Sequence, residues 1–157
     1  LVEVTLNAQT APNFLTQAVD FANDCLWGTL SCTVLIDSQT QSQYRSALDS
    51  AIANLRYGAI GINLWSAMLF YLGSTTWGAY PGNPLTDIGS GIGFVHNSYL
   101  FDRPQKSVVY APFRIFPTPV WFATHKHLLG IAKHLLKFEA YPTWQNLPAV
   151  IMAALRG

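Results

Sequence analysis

The sequence predicts an α/β protein: a parallel β-α-β-α-β unit, an irregular Gly/Pro-rich loop region, one further strand and a C-terminal helical tail. Residues 1–6 alternate apolar and polar side chains, whereas residues 29–36 and 59–64 are nearly continuous β-branched and apolar runs. The stretches between these runs repeat apolar residues at helical spacing. Strands that alternate with helices in this way run parallel and are joined by right-handed crossovers.

Both helices of the predicted unit have recognisable ends. Thr10 is the predicted N-cap of the first helix, with Pro12 in its first turn and Gly28 after its end. Asp37 is the predicted N-cap of the second helix, which Gly58 ends. These signals place the helix boundaries between the three strands.

The rest of the chain is less regular. Residues 106–113 are predicted to form the further strand, after an irregular stretch over residues 65–103. Beyond it, apolar residues at helical spacing predict an amphipathic helix that Pro142 ends. Asn146 is the predicted cap of a final helix over residues 147–155.

The amino-acid composition limits the classes of protein to which this chain can belong. Half of the 157 residues are hydrophobic and only 11% are charged, which predicts surface that another segment, subunit or domain covers. A formal net charge of +1 favours neither nucleic acid nor strongly acidic partners. The longest apolar run, residues 67–72, is too short to span a bilayer, and the start lacks the pattern of a signal peptide. A chain that starts without methionine suggests a fragment of a longer protein.

The cysteine content predicts the compartment. Two cysteines, Cys25 and Cys32, make no disulfide framework in a chain of this size, so a reducing, cytoplasmic compartment fits. Both are expected to be small buried apolar residues, Cys25 on a helix and Cys32 in a strand. Neither has an evident basic neighbour that would activate a nucleophile.

The most informative stretch is the glycine-rich segment 57–93. A β-branched run leads into Asn63, bulky apolar residues follow, and Trp77-Gly78 precedes a coil that ends in glycines at 89–93. Glycine at this density lets the backbone turn and approach other backbone closely. The pattern indicates either a pocket wall at the carboxyl end of a sheet or an irregular, well-packed core loop. The spacing of the glycines at 89–93 does not match a phosphate-binding loop.

The order of these motifs resembles the C-terminal part of the catalytic domain of the aldehyde dehydrogenase superfamily. AVDFAND at 18–24 and GTLS at 28–31 are similar to the family's "A-x-x-x-A-N" and "G-L-x-x-x-V" motifs. RYGAIGIN at 56–63 is similar to "L-x-x-G-x-V-x-V-N", and the aromatic-Gly pair follows at 77–78. The resemblance covers roughly residues 1–113.

The resemblance implies the NAD(P)-dependent oxidation of an aldehyde to the acid. In the family a cysteine thiolate attacks the aldehyde, a hydride passes to NAD or NADP, and the thioester is hydrolysed. The nucleophile, its glutamate base and the dinucleotide-binding domain precede the matched region. The resemblance therefore implies no catalytic, cofactor-binding or metal-binding residue in this chain, which is expected to be inactive alone.

By resemblance, this region supplies one wall of the substrate tunnel. The positions that match tunnel-lining positions of the family are Leu64, Trp65, Ser66 and Trp77. The positions that match structural anchors of the loop are Asn63 and Gly78. Trp77 in place of the family's usual Phe, and Ala79 in place of a second Gly, imply a narrowed or reshaped tunnel.

The resemblance also implies partners. Residues 1–123 are expected to be the dehydrogenase-like portion, in which the strand 106–113 extends the sheet of a partner subunit, and residues 124–157 are expected to be a helical tail. The expected partners are the rest of the parent enzyme and like subunits in a homo-oligomer, with no nucleic acid and no membrane span. The alternative is a non-catalytic interaction or scaffold module descended from this half-domain.

The helical tail carries three histidines and three lysines. His125, His127 and His134 could gather a metal ion, but a solvated basic face is the favoured interpretation because no cysteine and only Glu139 accompany them. The helix could also lie on an anionic membrane surface. A subunit or domain interface is favoured, because its apolar side lacks a large aromatic anchor.

Overall fold

The computed structural model describes residues 2–120 and 122–156. They belong to two compact units, Leu1–Phe113 and Arg114–Gly157. The elements in chain order are α1 (Ala11–Cys25), β1 (Ser31–Val34), α2 (Ser38–Gln43), α3 (Arg45–Asn54), β2 (Ala59–Ile62), α4 (Met68–Tyr71), β3 (Trp77–Gly78), β4 (Phe94–Val95), β5 (Ser107–Tyr110), α5 (Leu128–Ala140) and α6 (Leu147–Ala154).

The first unit is built on a three-stranded parallel sheet in the order β1-β2-β5. In its register Ser31 lies opposite Ala59, which in turn lies opposite Ser107. All four residues of the central strand β2 are buried. The predicted α/β class with parallel strands is confirmed.

One face of this sheet carries the hydrophobic core. Side chains alternate along a strand, so Ile60 and Ile62 of β2 point to the same face. They pack with Leu48 and Ile52 of α3 and with Val19 of α1. Cys32, Val34 and Val108 from the two flanking strands pack against the same cluster.

The predicted N-caps of the first two helices, Thr10 and Asp37, are confirmed. The Thr10 hydroxyl accepts from the Asn13 N–H, and the Asp37 carboxylate accepts from the N–H groups of Gln39 and Thr40. The second predicted helix, however, is divided into α2 and α3 at Tyr44, whose backbone is not helical (φ −120°, ψ 34°). Periodicity alone did not reveal this break, because both pieces continue the helical spacing.

The predicted first strand is wrong for residues 2–6, which form no strand in the structure, while Leu1 lies outside the described residues. The observed unit therefore begins with α1. Its β-α-β part consists of the strand β1, the helices α2 and α3, and the strand β2. Alternation marks a segment that is able to form a strand, but a strand also needs a hydrogen-bonding neighbour. The exposure of Val2 (87%) is consistent with the absence of such a neighbour among the described residues.

The stretch expected to be irregular contains short elements. The helix α4 lies within it, and β3 pairs with β4 in an antiparallel register that sets Trp77 opposite Val95. The further strand is confirmed at Ser107–Tyr110, shorter than the predicted 106–113. It pairs with β2 of its own chain, so one of its edges is occupied without a partner subunit.

The second unit is a helical hairpin in which α5 packs against α6. His125 is buried, accepts from the His127 N–H at Nδ1 (3.1 Å) and lies 3.1 Å from the Ala154 carbonyl at Nε2. This histidine therefore ties the start of α5 to the end of α6 and is not part of a solvated face. Asn146 precedes α6, but its side chain donates to the Tyr141 carbonyl and does not cap the helix as predicted.

No helix in the described part of the chain is long and apolar enough to cross a membrane. The prediction that both cysteines are buried holds for only one of them. Cys32 is partly buried beside the core, but Cys25 is exposed because it is the last residue of α1.

Candidate functional site

Asn63 joins the carboxyl ends of two neighbouring strands. Its backbone adopts the left-handed conformation (φ 57°), in which asparagine is more tolerated than most residues. Its side chain accepts from the Ile36 N–H (2.8 Å) and donates to the Ile36 carbonyl (2.9 Å). The residue therefore reverses the chain after β2 and holds it to the segment that follows β1.

The chain then folds back over the second face of the sheet. The Leu64 carbonyl accepts from the Thr33 hydroxyl (3.2 Å), and the Ser66 N–H donates to the same hydroxyl oxygen (3.2 Å). The Ser66 hydroxyl lies 3.1 Å from that of Ser31. A Cβ added at Gly61 would lie 2.4 Å from the Leu64 carbonyl oxygen, so this crossing requires glycine in the strand below it.

Trp77 and Gly78 lie beside the amino end of β2. A Cβ added at Gly58, the residue before that strand, would lie 1.9 Å from the Gly78 carbonyl oxygen. The Thr29 carbonyl accepts from the N–H groups of both Gly58 (2.9 Å) and Tyr80 (3.0 Å). Backbone therefore packs directly on backbone at this end of the sheet.

An aromatic cluster surrounds Trp77. The Phe70 ring from α4 meets the Trp77 ring edge-on with centroids 5.8 Å apart. The same ring lies 4.8 Å from the His96 ring and 5.8 Å from the Tyr71 ring. The His96 backbone is left-handed (φ 64°), and its buried Nδ1 has no hydrogen-bond partner among the described residues. No sequence pattern predicted a role for His96, because this residue follows β4 in a stretch without periodicity.

The structure brings some of the predicted site residues together and separates others. Asn63, Leu64 and Ser66 share the crossing over Gly61, where Ser66 is buried and Leu64 is half-buried. Trp65 lies on the same crossing and is 58% exposed. The remaining two predicted residues, Trp77 and Gly78, are half-buried and lie towards the opposite end of β2. The predicted site residues therefore lie along a face of the sheet and are not confined to its carboxyl edge.

A cavity of about 530 Å³ adjoins this face at the amino end of β5. Hydroxyl, aromatic and charged side chains line it, and the Thr76 and Ser107 hydroxyl groups lie 2.8 Å apart within it. The sequence did not predict this cavity, because its lining comes from two stretches without regular periodicity. The lining residues are Ser74, Thr75, Thr76, Tyr99, Phe101, Asp102, Arg103, Pro104, Lys106, Ser107 and Val108.

Lys106 contributes its side chain to the fold as well as to the cavity wall. Its Nζ donates to the carbonyls of Ile52 (3.0 Å), Ala53 (2.8 Å) and Leu55 (2.7 Å) at the end of α3. It also lies 5.2 Å from the centre of the Tyr80 ring. A cation is favoured at the negative end of a helix dipole, although burial lowers the pKa of this lysine. With three protein acceptors, this ammonium group acts as a structural cap for α3.

The titratable groups beside the sheet give no evident nucleophile. Burial raises the pKa of the Cys32 thiol to about 11, so this thiol is protonated at neutral pH and is a poor nucleophile. Cys25 is exposed at the end of α1. Within residues 2–120 and 122–156, no group of three or more His, Cys, Asp or Glu side chains is placed to hold a metal ion.

The chain matches no protein-family model, no curated protein and no solved structure. The chemistry of the site is therefore argued from its geometry. That geometry is an anchored loop with one exposed indole, Trp65, and a second, half-buried indole, Trp77, supported by an aromatic cluster.

Proposed function

We propose that this chain is the C-terminal portion of the catalytic domain of an NAD(P)-dependent aldehyde dehydrogenase. In this role it supplies one wall of the substrate tunnel and contacts between subunits. The proposal rests on the ordered motifs of residues 18–78 and on one structural observation. Asn63 holds the loop after β2 by two hydrogen bonds to Ile36, so that Trp65 is presented to solvent from an anchored backbone.

A rigid apolar wall suits an aldehyde with a hydrocarbon chain. Ligand pockets are lined mainly by apolar and aromatic side chains whose positions are fixed before binding. Trp65 lies two residues after the Asn63 anchor, and Trp77 is supported by the Phe70 ring. Leu64 and Ser66 complete the wall, with their backbone groups bonded to Thr33.

In this proposal the covalent chemistry belongs to residues outside the chain. There a cysteine thiolate would add to the aldehyde carbonyl and water would release the acid, and a bound NAD or NADP would supply the hydride-acceptor chemistry. The raised pKa of the Cys32 thiol argues against Cys32 itself as the nucleophile. Two free cysteines, Cys25 and Cys32, support a cytoplasmic location.

The proposed oligomer would use the outer edge of β5. This strand lies at the edge of the sheet, and no other strand of the described residues pairs with it on the side away from β2. A self-complementary dimer is the commonest arrangement for such an edge. Light scattering on the purified chain tests for this dimer. A monomer at every concentration would show that the β5 edge is not an interface.

The test of the tunnel uses the full-length protein from the reading frame that contains this chain. Formation of NADH or NADPH is followed over aldehydes of increasing chain length, for the wild type, Trp77→Phe and Trp77→Ala. We expect the relative kcat/KM of long and short aldehydes to change by about 10–200-fold, because each methylene of fit contributes roughly 1–3 kcal/mol.

The matched control is Trp27→Ala, since Trp27 is 86% exposed in the same unit and lies outside the proposed wall. Trp77→Ala could also act through stability alone, because large-to-small changes at buried aromatic residues cost about 3–5 kcal/mol. Thermal melts beside the specificity profiles separate the two effects. A lower melting temperature with an unchanged chain-length profile would contradict the tunnel role.

One observation favours the alternative, a non-catalytic interaction module. Several large apolar residues of the first unit are more than four-fifths exposed, including Trp27, Leu85 and Leu100. Exposed apolar side chains of this size are available for contacts with other proteins. The same experiment discriminates, since a full-length protein that reduces neither NAD nor NADP with any aldehyde, while binding a partner through these residues, would favour the module.

A further inference from the structure

The second unit differs from the first in charge. Residues 114–157 carry five Lys/Arg and one Glu, a formal net charge of +4, whereas residues 1–113 carry four Lys/Arg and seven Asp/Glu, a net charge of −3. The ion pairs of the described residues, Arg45–Asp49 and Arg56–Asp24, lie in the first unit. The cations of the helical hairpin are therefore not neutralised by ion pairs within the described part of the chain.

The outer face of α5 combines these cations with exposed leucines. Ile131 is buried and marks the inner face of the helix. Leu129 and Leu136 lie seven residues apart, about two turns, and are 69% and 70% exposed. Lys133 lies four residues, about one turn, after Leu129, and Lys137 lies one residue after Leu136. Both lysines therefore flank the two exposed leucines.

The turn between α5 and α6 adds two exposed aromatic residues. Tyr141 is 70% exposed and Trp144 is 87% exposed. The turn is ordered by hydrogen bonds, because the Tyr141 carbonyl accepts from the Thr143 N–H (2.8 Å) and from the Asn146 side chain (2.9 Å). The turn that follows α5 therefore supplies the exposed aromatic side chains that the outer face of the helix, around Leu129 and Leu136, lacks.

We propose that the α5–α6 hairpin is a docking surface for an anionic lipid bilayer. Leu129, Leu136 and Trp144 would enter the boundary between headgroups and acyl chains, while Lys133 and Lys137 meet anionic headgroups. This inference is independent of the proposed dehydrogenase function, because it uses residues of the second unit alone.

Charge complementarity selects the lipid surface over other occupants. A bilayer with anionic lipids attracts basic residues near its surface and accepts exposed leucine and tryptophan side chains at the same time. Tryptophan and tyrosine are the side chains that membrane–water interfaces favour. Long lysine stems let Lys133 and Lys137 reach the headgroups while the leucines beside them are buried. Since no described helix is long enough to cross a bilayer, the hairpin would lie on the surface.

The experiment is co-sedimentation of the whole chain with vesicles of phosphatidylcholine, with and without phosphatidylserine. We expect binding to the mixed vesicles, weaker binding as salt is raised and little binding to pure phosphatidylcholine. Lys133→Gln/Lys137→Gln should weaken binding to the mixed vesicles by about 25-fold, because each lysine near an anionic surface is worth roughly a fivefold change. Leu129→Ser/Leu136→Ser and Trp144→Ser should each weaken it by at least about tenfold.

Matched controls come from the first unit. Trp27 and Leu85 are 86% and 82% exposed, so Trp27→Ser and Leu85→Ser remove similar apolar surface outside the hairpin. Arg45→Gln removes an exposed cation of the first unit, one that is paired with Asp49. All three variants should bind the mixed vesicles like the wild type. Circular dichroism of every variant checks that the helices remain, and the exposure of the substituted residues favours that outcome.

Three results would overturn the proposal. The first is absence of binding, or equal binding to both kinds of vesicle. The second is an equal loss of binding in the control variants, which would make the effect nonspecific. The third is a chain that self-associates and becomes monomeric on Leu129→Ser/Leu136→Ser without binding vesicles, which would assign the outer face of α5 to a second copy.

Discussion

The two faces of the parallel sheet are covered in different ways. On one face, the large apolar side chains of Ile60 and Ile62 meet the helices α1 and α3. On the other face, small residues such as Ser31, Ala59 and Gly61 meet a returning coil. The first contact buries side chains against side chains, whereas the second brings backbone against backbone.

This difference shows which interactions tolerate change. A helix held by apolar burial can shift slightly when a smaller side chain replaces a larger one, and the loss of stability increases with the volume removed. A coil that crosses a glycine depends on close approach and on individual hydrogen bonds such as those that the side chains of Thr33 and Asn63 make. We therefore expect steep effects at single positions on the coil face and graded effects on the helix face.

The largest effect is expected from Gly58→Ala. The new Cβ would lie 1.9 Å from the Gly78 carbonyl oxygen, and neither backbone segment can move without breaking its hydrogen bonds to Thr29. We expect a loss of more than about 4 kcal/mol in the free energy of unfolding, measured by urea denaturation. Gly93→Ala is the control, because its Cβ would meet nothing within 4 Å and should change stability by less than about 0.5 kcal/mol. Similar losses in both variants would contradict the close backbone contact.

On the helix face, Leu48→Ala should cost about 3 kcal/mol, within the usual range of about 2–5 kcal/mol for a buried leucine. Leu48 is 1% exposed at the centre of the core cluster. Leu85, which is 82% exposed, provides the matched Leu→Ala control and should be nearly neutral. Equal midpoints for the two variants in chemical denaturation would show that the core cluster does not hold α3 on the sheet.

Asn63 tests the junction between the two faces. Asn63→Ala should cost about 2 kcal/mol, because the Ile36 N–H and carbonyl lose their partner and alanine disfavours a φ of 57°. Asn63→Gly relieves the backbone strain without restoring the hydrogen bonds, so its stability should lie between those of wild type and Asn63→Ala. If Asn63→Gly were as stable as the wild type, the side-chain hydrogen bonds of Asn63 would contribute no stability. The role of the residue would then be its backbone conformation alone.

The smallest effect is expected from the exposed cap of α2. Hydrogen bonds from Thr40 and Gln39 lower the pKa of the Asp37 carboxyl below its usual value. Because the folded-state pKa is the lower one, the stabilisation is complete above about pH 4, the unfolded value, and is lost as the pH falls through the folded-state value. Asp37→Asn keeps an acceptor and should flatten the stability curve in that acidic range, as followed by thermal melts at several pH values. Parallel curves for the two proteins would contradict the capping role.

The sequence by itself determined the elements whose signals are local. The β-branched runs around Ser31–Val34 and Ala59–Ile62 predicted the strands β1 and β2, and the side chains of Thr10 and Asp37 predicted the starts of α1 and α2. Caps and buried strands are encoded within a few residues, so a single sequence is enough to find them. The residue pattern placed Asn63 in the predicted strand 59–64, the loop-anchor role came from the family resemblance alone, and the hydrogen-bond partner, Ile36, was not foreseen.

Only the tertiary structure decided which segments meet. The predicted strand over residues 2–6 is absent from the structure because no neighbouring strand lies beside it among the described residues, and β5 joins the sheet because β2 has a free edge in register with it. Gly61 permits the return of the loop over the sheet, and this return carries Ser66 to Ser31, 35 residues away along the chain. Contacts between distant segments depend on the packing of the whole unit, and a local pattern does not contain that information.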